Sequence, residues 1–176
     1  MSKAPSDAGQ QTGWDATPML GMGLHWDDVK VGQRFRTLAR TITEADIVLF
    51  VGVTGMVEEM FTNLEYIRAE SWIGARPAPG SLVFCICEGL LMQSTMQRTG
   101  MAFLECDLRI LKPTMAGDTI HVQAEVVQAR STSKPGRGLM RTFNRVVNQR
   151  GELVATYNPL RMVKGREHTV GRAPAA

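Results

Sequence analysis

The chain has 176 residues and a mass of 19.4 kDa, a length that suits one domain and leaves no room for two. With 44% hydrophobic and 21% charged residues, its composition is that of a globular protein and excludes collagen-like, coiled-coil and wholly disordered chains. A net charge of +3 is too small for the concentrated basic surface of a nucleic-acid binder. The longest strongly apolar run, Ser81–Met92, contains Glu88 and falls short of the ~20 residues that span a membrane.

The ends of the chain differ in composition from its body. Residues 1–23 and 164–176 are rich in small and polar residues without periodicity, so we expect flexible tails on either side of a single domain at 24–163. The first residues lack a basic region followed by an apolar one, and no secretory signal is therefore predicted. We expect a cytoplasmic protein.

Three cysteines, Cys85, Cys87 and Cys106, lie in apolar stretches. Their odd number and C-x-C spacing suit neither a disulfide framework nor a zinc site. Buried reduced thiols and no metal site are the prediction.

The first half of the body combines a strand, a helix and an irregular segment. A short strand is predicted at Gln33–Arg40. The sequence Thr43–Asp46 has the form of a capping box that opens a helix, and this helix is expected to end near Gly52–Gly55. Residues 56–80 are irregular apart from a short helix predicted at Leu64–Trp72, and long irregular insertions are often functional.

The second half changes from helical to strand periodicity. From Ser81 to about Gln97, apolar residues point nearly all round, which predicts a helix buried on most sides. Beyond Gly100 the period becomes two, and strands are predicted at 104–110, 120–126, 139–148 and 153–163. Short links between them predict an antiparallel meander.

These elements leave few arrangements open. The apolar helix must be covered by the sheet, so the sequence predicts the α+β hot-dog fold, an antiparallel sheet of about five strands wrapped around a long apolar helix. Such a sheet leaves an open edge, and we expect a two-fold homodimer, or a multiple of dimers, that pairs it.

The chain also resembles the MaoC-like dehydratases, which include the R-specific enoyl-CoA hydratases. The resemblance covers nearly the whole body and depends on Asp28–Gly32, Thr41–Asp46 with Phe50, Thr54-Gly55, Pro79-Gly80, and Leu111–Pro113 with Gly117–Thr119. It implies an acyl-CoA substrate and the addition or removal of water next to the thioester carbonyl. Coenzyme A is then part of the substrate, and no separate cofactor is implied.

The loop that carries proton transfer in this family is altered here. Family members that hydrate have the pattern Gly-Asp-X-Asn-Pro-X-His, and the matching stretch begins at Gly55. Met56 stands at the aspartate position and Phe61 at the histidine position, and neither side chain transfers a proton. Glu58 and Glu59, at the asparagine and proline positions, are the candidate catalytic bases if an apolar cleft desolvates them. The alternative is that both are solvated loop acids.

The resemblance also predicts a substrate-binding region. In hot-dog acyl-CoA enzymes the amino end of the buried helix faces the thioester, where free backbone N–H groups stabilise charge on oxygen. Pro79, Gly80 and Ser81 take this position, and Met56 and Phe61 would line the acyl site. Arg76 would meet a phosphate of coenzyme A, or would be a solvated loop arginine.

Other charged residues have more than one interpretation. Glu88 is the only charge in the apolar helix, and it is either a thioesterase-type base or a carboxylate paired structurally at a dimer seam. From Gln128 to Arg150 there are six basic residues and no acid, which favours a solvated strand face over contact with coenzyme A phosphates and, least of all, nucleic acid. No chemistry is assigned to His25, His121 or His168.

Three functions remain open. The leading one is an acyl-CoA hydratase or dehydratase in which loop carboxylates replace the missing pair. The second is a non-catalytic acyl-thioester binding protein, or a partner subunit of an active relative. The third is a hot-dog thioesterase that uses Glu58, Glu59 or Glu88. The expected partners are an acyl-CoA thioester and a second copy of the chain, with neither nucleic acid nor membrane.

Overall fold

A computed structural model describes residues 19–167 of the chain. Most of the two predicted tails, together with His168, lies outside the described residues. Within the described part, the chain beyond residue 163 still contacts the domain: Lys164 is the last residue of a strand, and Arg166 Nε donates a hydrogen bond to Asp28 Oδ1.

The domain is built on one antiparallel sheet. Among the described residues, eight strands form it: β1 Arg34–Arg36, β2 Arg40–Thr41, β3 Gly100–Glu105, β4 Leu108–Ile110, β5 Thr119–Ser131, β6 Arg137–Asn148, β7 Leu153–Tyr157 and β8 Leu160–Lys164. β1 and β2 pair with β5, β5 pairs with β6, β6 pairs with both β7 and β8, and these pair in turn with β4 and β3. The strands therefore occupy five positions across the sheet, as predicted.

The predicted strand at 104–110 is interrupted, and the predicted meander is confirmed only for its last three strands, since β5 pairs with β6 and β6 pairs with β7 and β8. The segment forms two strands, β3 and β4, which are broken at Cys106 and Asp107, where Asn158 Oδ1 accepts the Asp107 N–H. Their partners are β8 and β7 rather than β5, so the chain then crosses the sheet from this edge to β5, which lies next to the opposite edge. Because they form an edge, their residues are exposed instead of half-buried. The strands predicted at Gln33–Arg40 and 153–163 are likewise each interrupted, giving β1 with β2 and β7 with β8.

Four α-helices are described: α1 Glu44–Thr54, α2 Glu59–Thr62, α3 Leu64–Ala69 and α4 Gly80–Leu91. The capping box is confirmed, since Thr43 Oγ1 accepts from the Asp46 N–H while Asp46 accepts from the Thr43 N–H. α1 ends at Gly55, whose φ of 71° is easily adopted only by glycine. The predicted long helix is α4 followed by one π-helical turn, Met92–Met96. The helix predicted at Leu64–Trp72 is α3, which ends at Ala69.

The core lies between α4 and one face of the sheet. Ile86 and Cys87 of α4 belong to the same buried cluster as Ile120, Val122 and Ala124, which alternate along β5. This arrangement confirms the α+β hot-dog fold. No helix among residues 19–167 is long and apolar enough to cross a bilayer.

The cysteines are free, as predicted, but they are not all buried. Cys87 is fully buried, and desolvation raises the pKa of its thiol to about 12. Cys85 is exposed and Cys106 is half-buried. The prediction fails for Cys85 because the sheet covers one side of α4, and Cys85 lies with Gly89, four residues on, at the exposed side.

Two hydrogen-bonded carboxylates connect the start of β5 to the β6–β7 turn. Asp118 is buried and accepts from the Met115 N–H, Gln149 Nε2 and Arg150 Nη1. Burial raises the pKa of Asp118, but these hydrogen bonds outweigh it and hold the pKa below its usual range. Hydrogen bonds from Asn148, Lys112 and Arg150 lower the pKa of Glu152 to about 2. Arg150 donates to both carboxylates.

This network predicts an acid-sensitive fold. Because folding lowers both pKa values, it stabilises the protein above the carboxyl pKa values of the unfolded chain, and the stabilisation is lost as the pH falls through the folded values. For Glu152 the window runs from 4.5 down to about 2. Replacing Arg150 by glutamine should shrink the difference in urea midpoint between pH 6 and pH 3, whereas Arg68→Gln, in an exposed pair on α3, should not. An unchanged pH dependence in Arg150→Gln would contradict the assignment.

Candidate functional site

The irregular loop after α1 meets the beginning of α4. Ser81 Oγ lies 3.7 Å from Met56 Sδ, so the residue at the family's aspartate position adjoins the helix N-terminus. The structure thereby brings together the predicted binding residues Met56, Pro79, Gly80 and Ser81.

The N-terminus of α4 offers free hydrogen-bond donors. The first intrahelical bond is from the Val83 N–H to the Pro79 carbonyl, at 3.1 Å. Among the described residues, no acceptor is bonded to the N–H groups of Gly80, Ser81 or Leu82, and no side chain caps the helix. These donors, with the helix dipole, favour an oxygen that carries negative charge. A thioester carbonyl that gains charge during reaction fits this chemistry.

Gly80 lets α4 approach strand β4 closely. A Cβ at this position would lie 2.8 Å from Ile110 Cγ1 and 3.2 Å from Ile110 Cδ1. The helix N-terminus is therefore held against the exposed edge of the sheet, and any larger residue would move either the helix or Ile110.

Gly80→Ala is expected to destabilise the protein by about 1–3 kcal/mol, because the added methyl overpacks the contact with Ile110. Gly89→Ala on the same helix is the matched control, since a Cβ there meets nothing within 4 Å. The control should be neutral or more stable by about 0.5–1 kcal/mol, as alanine is the better helix former. Urea unfolding measures both variants, and equal stability of the two would contradict the close approach.

Arg76 holds the loop in place. Its side chain is mostly buried, its Nη2 pairs with Glu44 Oε2, and its Nη1 donates to the Phe61 carbonyl at 3.3 Å. The guanidinium thus connects the start of α1 to α2. Arg76 is therefore not a solvated loop arginine, and its contact with a phosphate of coenzyme A stays a prediction.

Glu58 and Glu59 lie at the start of α2 and are both exposed. Glu58 takes the N-cap position without a side-chain capping bond, and Glu59 Oε1 accepts from Asn63 Nδ2 at 3.0 Å. The apolar cleft expected around them is not formed by a single chain, because Met56 is also exposed and Phe61 packs instead toward the core. Desolvation of either carboxylate would require substrate or a second subunit.

Glu88 is paired, and its partner belongs to the same chain. Arg161 Nη2 lies 2.5 Å from Glu88 Oε2, and the two side chains are 4% and 13% exposed. The Arg161 guanidinium also stacks over the Phe103 ring, 5.4 Å from its centroid. Glu88 is therefore better explained as a structurally paired carboxylate than as a thioesterase-type base. Its partner is in the same chain, so a dimer interface is not needed to explain the pair.

Sequence reasoning missed a group of buried polar side chains beneath α4. Thr142 Oγ1, both amide atoms of Asn144 and Tyr157 Oη are buried with no hydrogen-bond partner among the described residues. Burial, with a smaller effect of the Glu88 charge, raises the pKa of Tyr157, so its phenol stays protonated at neutral pH. The sequence did contain a signal for two of them. Thr142 and Asn144 follow the buried Met140 at intervals of two residues along β6, so their side chains point inward.

The two histidines in the described part of the chain, His25 and His121, belong to no cluster that could bind a metal ion. No group of three or more His, Cys, Asp or Glu side chains in residues 19–167 could hold a metal ion. His25 Nδ1 lies 3.5 Å from Asp28 Oδ2. Burial and the charge of Arg36 lower the pKa of His121.

Comparison with known proteins gives consistent matches. The chain is 29% identical to protein MaoC of Klebsiella aerogenes over 100 residues, 56% of this chain and 29% of that protein. It is 24% identical to mesaconyl-CoA hydratase of Cereibacter sphaeroides over 154 residues, 87% of this chain and 44% of the hydratase. The chain therefore spans less than half the length of these curated relatives. A MaoC-like dehydratase structure from Rhodospirillum rubrum superposes with a TM-score of 0.73 at 28% identity, covering 83% of this chain and all of that one.

The antiparallel sheet around α4 defines a hot-dog protein, and the matched relatives and structure are of the MaoC-like dehydratase and hydratase class. Residues 29–157 match the family model for the FAS1-like dehydratase domain region. The chain belongs to this family, and the resemblance stated from the sequence is confirmed.

Proposed function

We propose that this chain is an acyl-thioester hydratase or dehydratase domain acting on an enoyl or 3-hydroxyacyl coenzyme A. The observation that carries the proposal is the contact between Met56 and Ser81 beside the free N–H groups of α4. This contact supports the proposal, because the altered loop then adjoins the helix start at which we propose that the thioester carbonyl binds. The family and the name of the matched mesaconyl-CoA hydratase support the same reaction class.

In the proposed reaction the carbonyl oxygen accepts hydrogen bonds from the N–H groups of Gly80, Ser81 and Leu82. Glu58 or Glu59 takes a proton from water as the water oxygen bonds to C3 of the enoyl group. The C2–C3 π electrons move toward the carbonyl, and the charge collects on the oxygen held by α4. The protonated carboxyl then delivers its proton to C2, which completes the addition of water.

The proposal includes a homodimer that covers the open edge of the sheet. β3 and β4 have no strand on their outer side among the described residues, and they expose five large apolar side chains: Met101, Phe103, Leu104, Leu108 and Ile110. Because Ile110 packs against Gly80, a subunit bound at this edge would lie beside the site. It would exclude water from the carboxylates that a single chain leaves exposed.

Sedimentation equilibrium tests the assembly. At micromolar concentration we expect about twice the chain mass of 19.4 kDa, or a multiple of that value. Leu108→Glu should give monomers, because a buried unpaired carboxylate opposes pairing of the edge, while Leu38→Glu, at an exposed residue outside this edge, should leave the mass unchanged. A monomeric wild-type protein would remove the case for a shared site.

The second candidate function is a non-catalytic acyl-thioester binding protein or partner subunit. Met56 and Phe61 at the family's proton-transfer positions, together with the exposure of Glu58 and Glu59, favour it. A thioesterase that uses Glu88 has less support, because Arg161 holds that carboxylate in a buried pair.

A panel of saturated, enoyl and 3-hydroxyacyl coenzyme A thioesters separates the three functions. We expect absorbance at the enoyl thioester band to fall as water adds, without release of free thiol. Saturable binding without either change would support the binding protein, and thiol release would support the thioesterase. A protein that neither binds nor converts any thioester would refute the proposed function.

A further inference from the structure

A groove lies on the face of the sheet turned away from α4. Its volume is about 480 Å³, and its lining includes six side chains from β1, β5 and β6: Arg34, Arg36, Gln123, Glu125, Phe143 and Arg145. On β5, Val122 and Ala124 belong to the buried core shared with α4, so the intervening Gln123 and Glu125 point to the opposite face. We call this feature the outer-face groove.

The groove is separate from the proposed thioester site. β1 lies at one edge of the sheet, while β4, against which the α4 N-terminus packs, lies at the other. The two features also occupy opposite faces. The outer-face groove is therefore not explained by the proposed function.

Strand register arranges the charges in the groove. Arg36, Gln123 and Arg145 are direct neighbours across three strands. Arg145 Nη1 donates to Gln123 Oε1 at 3.1 Å, and among residues 19–167 neither arginine has a carboxylate within ion-pair distance. The adjacent row contains the only carboxylate of the lining, Glu125, which is neutralised by Arg34 at 2.7 Å. Two uncompensated guanidinium groups thus flank one amide.

An aromatic ring completes the groove. Phe143 pairs with Glu125 across the strands and is 43% exposed, on a face where its neighbours are charged or polar. An exposed ring next to unpaired arginines is the combination that binds a nucleobase and a phosphate at once, because the base stacks on the ring while guanidinium groups bind the phosphate oxygens.

We propose that the outer-face groove binds a phosphorylated nucleotide, with the base stacked on Phe143 and the phosphates between Arg36 and Arg145. A free nucleotide and the nucleotide end of a carrier such as coenzyme A share this chemistry. The volume suits one such ligand, since small-molecule sites measure about 300–1,000 Å³.

Calorimetric titration of the full chain with ADP, adenosine, inorganic pyrophosphate and coenzyme A tests the proposal. We expect saturable binding of ADP that is tighter than that of adenosine or pyrophosphate. Arg36→Gln combined with Arg145→Gln should weaken ADP by about 100-fold, roughly tenfold for each guanidinium removed. Phe143→Ala should weaken ADP by about tenfold and leave pyrophosphate unchanged. Arg68→Gln, on α3 outside the lining and paired with Glu65, is the control and should bind normally.

Coenzyme A distinguishes the two sources. If coenzyme A displaces ADP from the wild-type protein, the groove accepts the nucleotide end of a carrier; if ADP stays bound in saturating coenzyme A, the ligand is a free nucleotide. The proposal is overturned if wild-type protein shows no saturable ADP binding, if the double arginine variant binds ADP as well as wild type, or if pyrophosphate binds as tightly as ADP. Binding of a single-stranded oligonucleotide far more tightly than ADP would overturn it in favour of nucleic acid.

Discussion

Replacing Glu58 or Glu59 by glutamine is expected to lower the turnover of an enoyl thioester by about 10²–10⁴-fold, the usual contribution of a positioned proton-transfer group. Both residues lie at the start of α2 and are exposed, so loss of folding should not accompany the change. The KM should change little, because in the proposed reaction α4 binds the carbonyl and neither carboxylate does.

The two glutamates should differ from each other. Glu59 already accepts a hydrogen bond from Asn63, whereas Glu58 has no side-chain partner among the described residues. Glu58 is therefore the better candidate for the base, and Glu58→Gln should give the larger loss. Glu65→Gln on α3 removes a nearby exposed carboxylate and should leave turnover unchanged. Full activity in both Glu58→Gln and Glu59→Gln would show that neither carboxylate transfers the proton.

The second large effect is on stability. Glu88→Gln or Arg161→Met should each destabilise the fold by about 3–5 kcal/mol, because each leaves a buried charge without its partner. In a domain of this size each kcal/mol corresponds to about 2–4 °C, so the expected fall in Tm is about 6–20 °C. Thermal and urea unfolding would measure it.

The double variant separates charge from packing. Glu88→Leu with Arg161→Met should recover most of this stability, because no charge is then left unpaired in the core. Glu105→Gln is the control, since Glu105 is 60% exposed in its pair with Arg141 and such pairs contribute about 0–1 kcal/mol. A double variant as unstable as either single variant would mean that packing of the Arg161 side chain, and not its charge, stabilises the core.

Local patterns predicted the elements that depend on local chemistry. The Thr43–Asp46 capping box and the glycine at 55 fixed both ends of α1, because caps and left-handed turns are formed by neighbouring residues. The apolar stretch gave α4, and the period of two gave β5 and β6. Strand partners were not predictable in this way. β3 pairs with β8, about 60 residues later, and the alternation of apolar and polar residues in β3 does not indicate which strand it pairs with.

The candidate site was predictable only where it depends on motifs that are local in the sequence. The loop and the helix start were recognised from family motifs, and the structure brings Met56 to Ser81. The carboxylate partner of Arg76 and the guanidinium partner of Glu88 lie 32 and 73 positions away, so these ion pairs could be identified only from the tertiary structure. The exposed sides of Cys85 and Glu58 depend on which face the sheet covers, which composition does not determine.

The proposed function depends above all on an acyl thioester binding with its carbonyl at the start of α4. A crystal structure of the protein with a thioether analogue that retains the adjacent ketone would test this placement. We expect the ketone oxygen within hydrogen-bond distance of the N–H groups of Gly80, Ser81 or Leu82, with Met56 beside it. An analogue bound elsewhere, with those N–H groups bonded only to water, would contradict it.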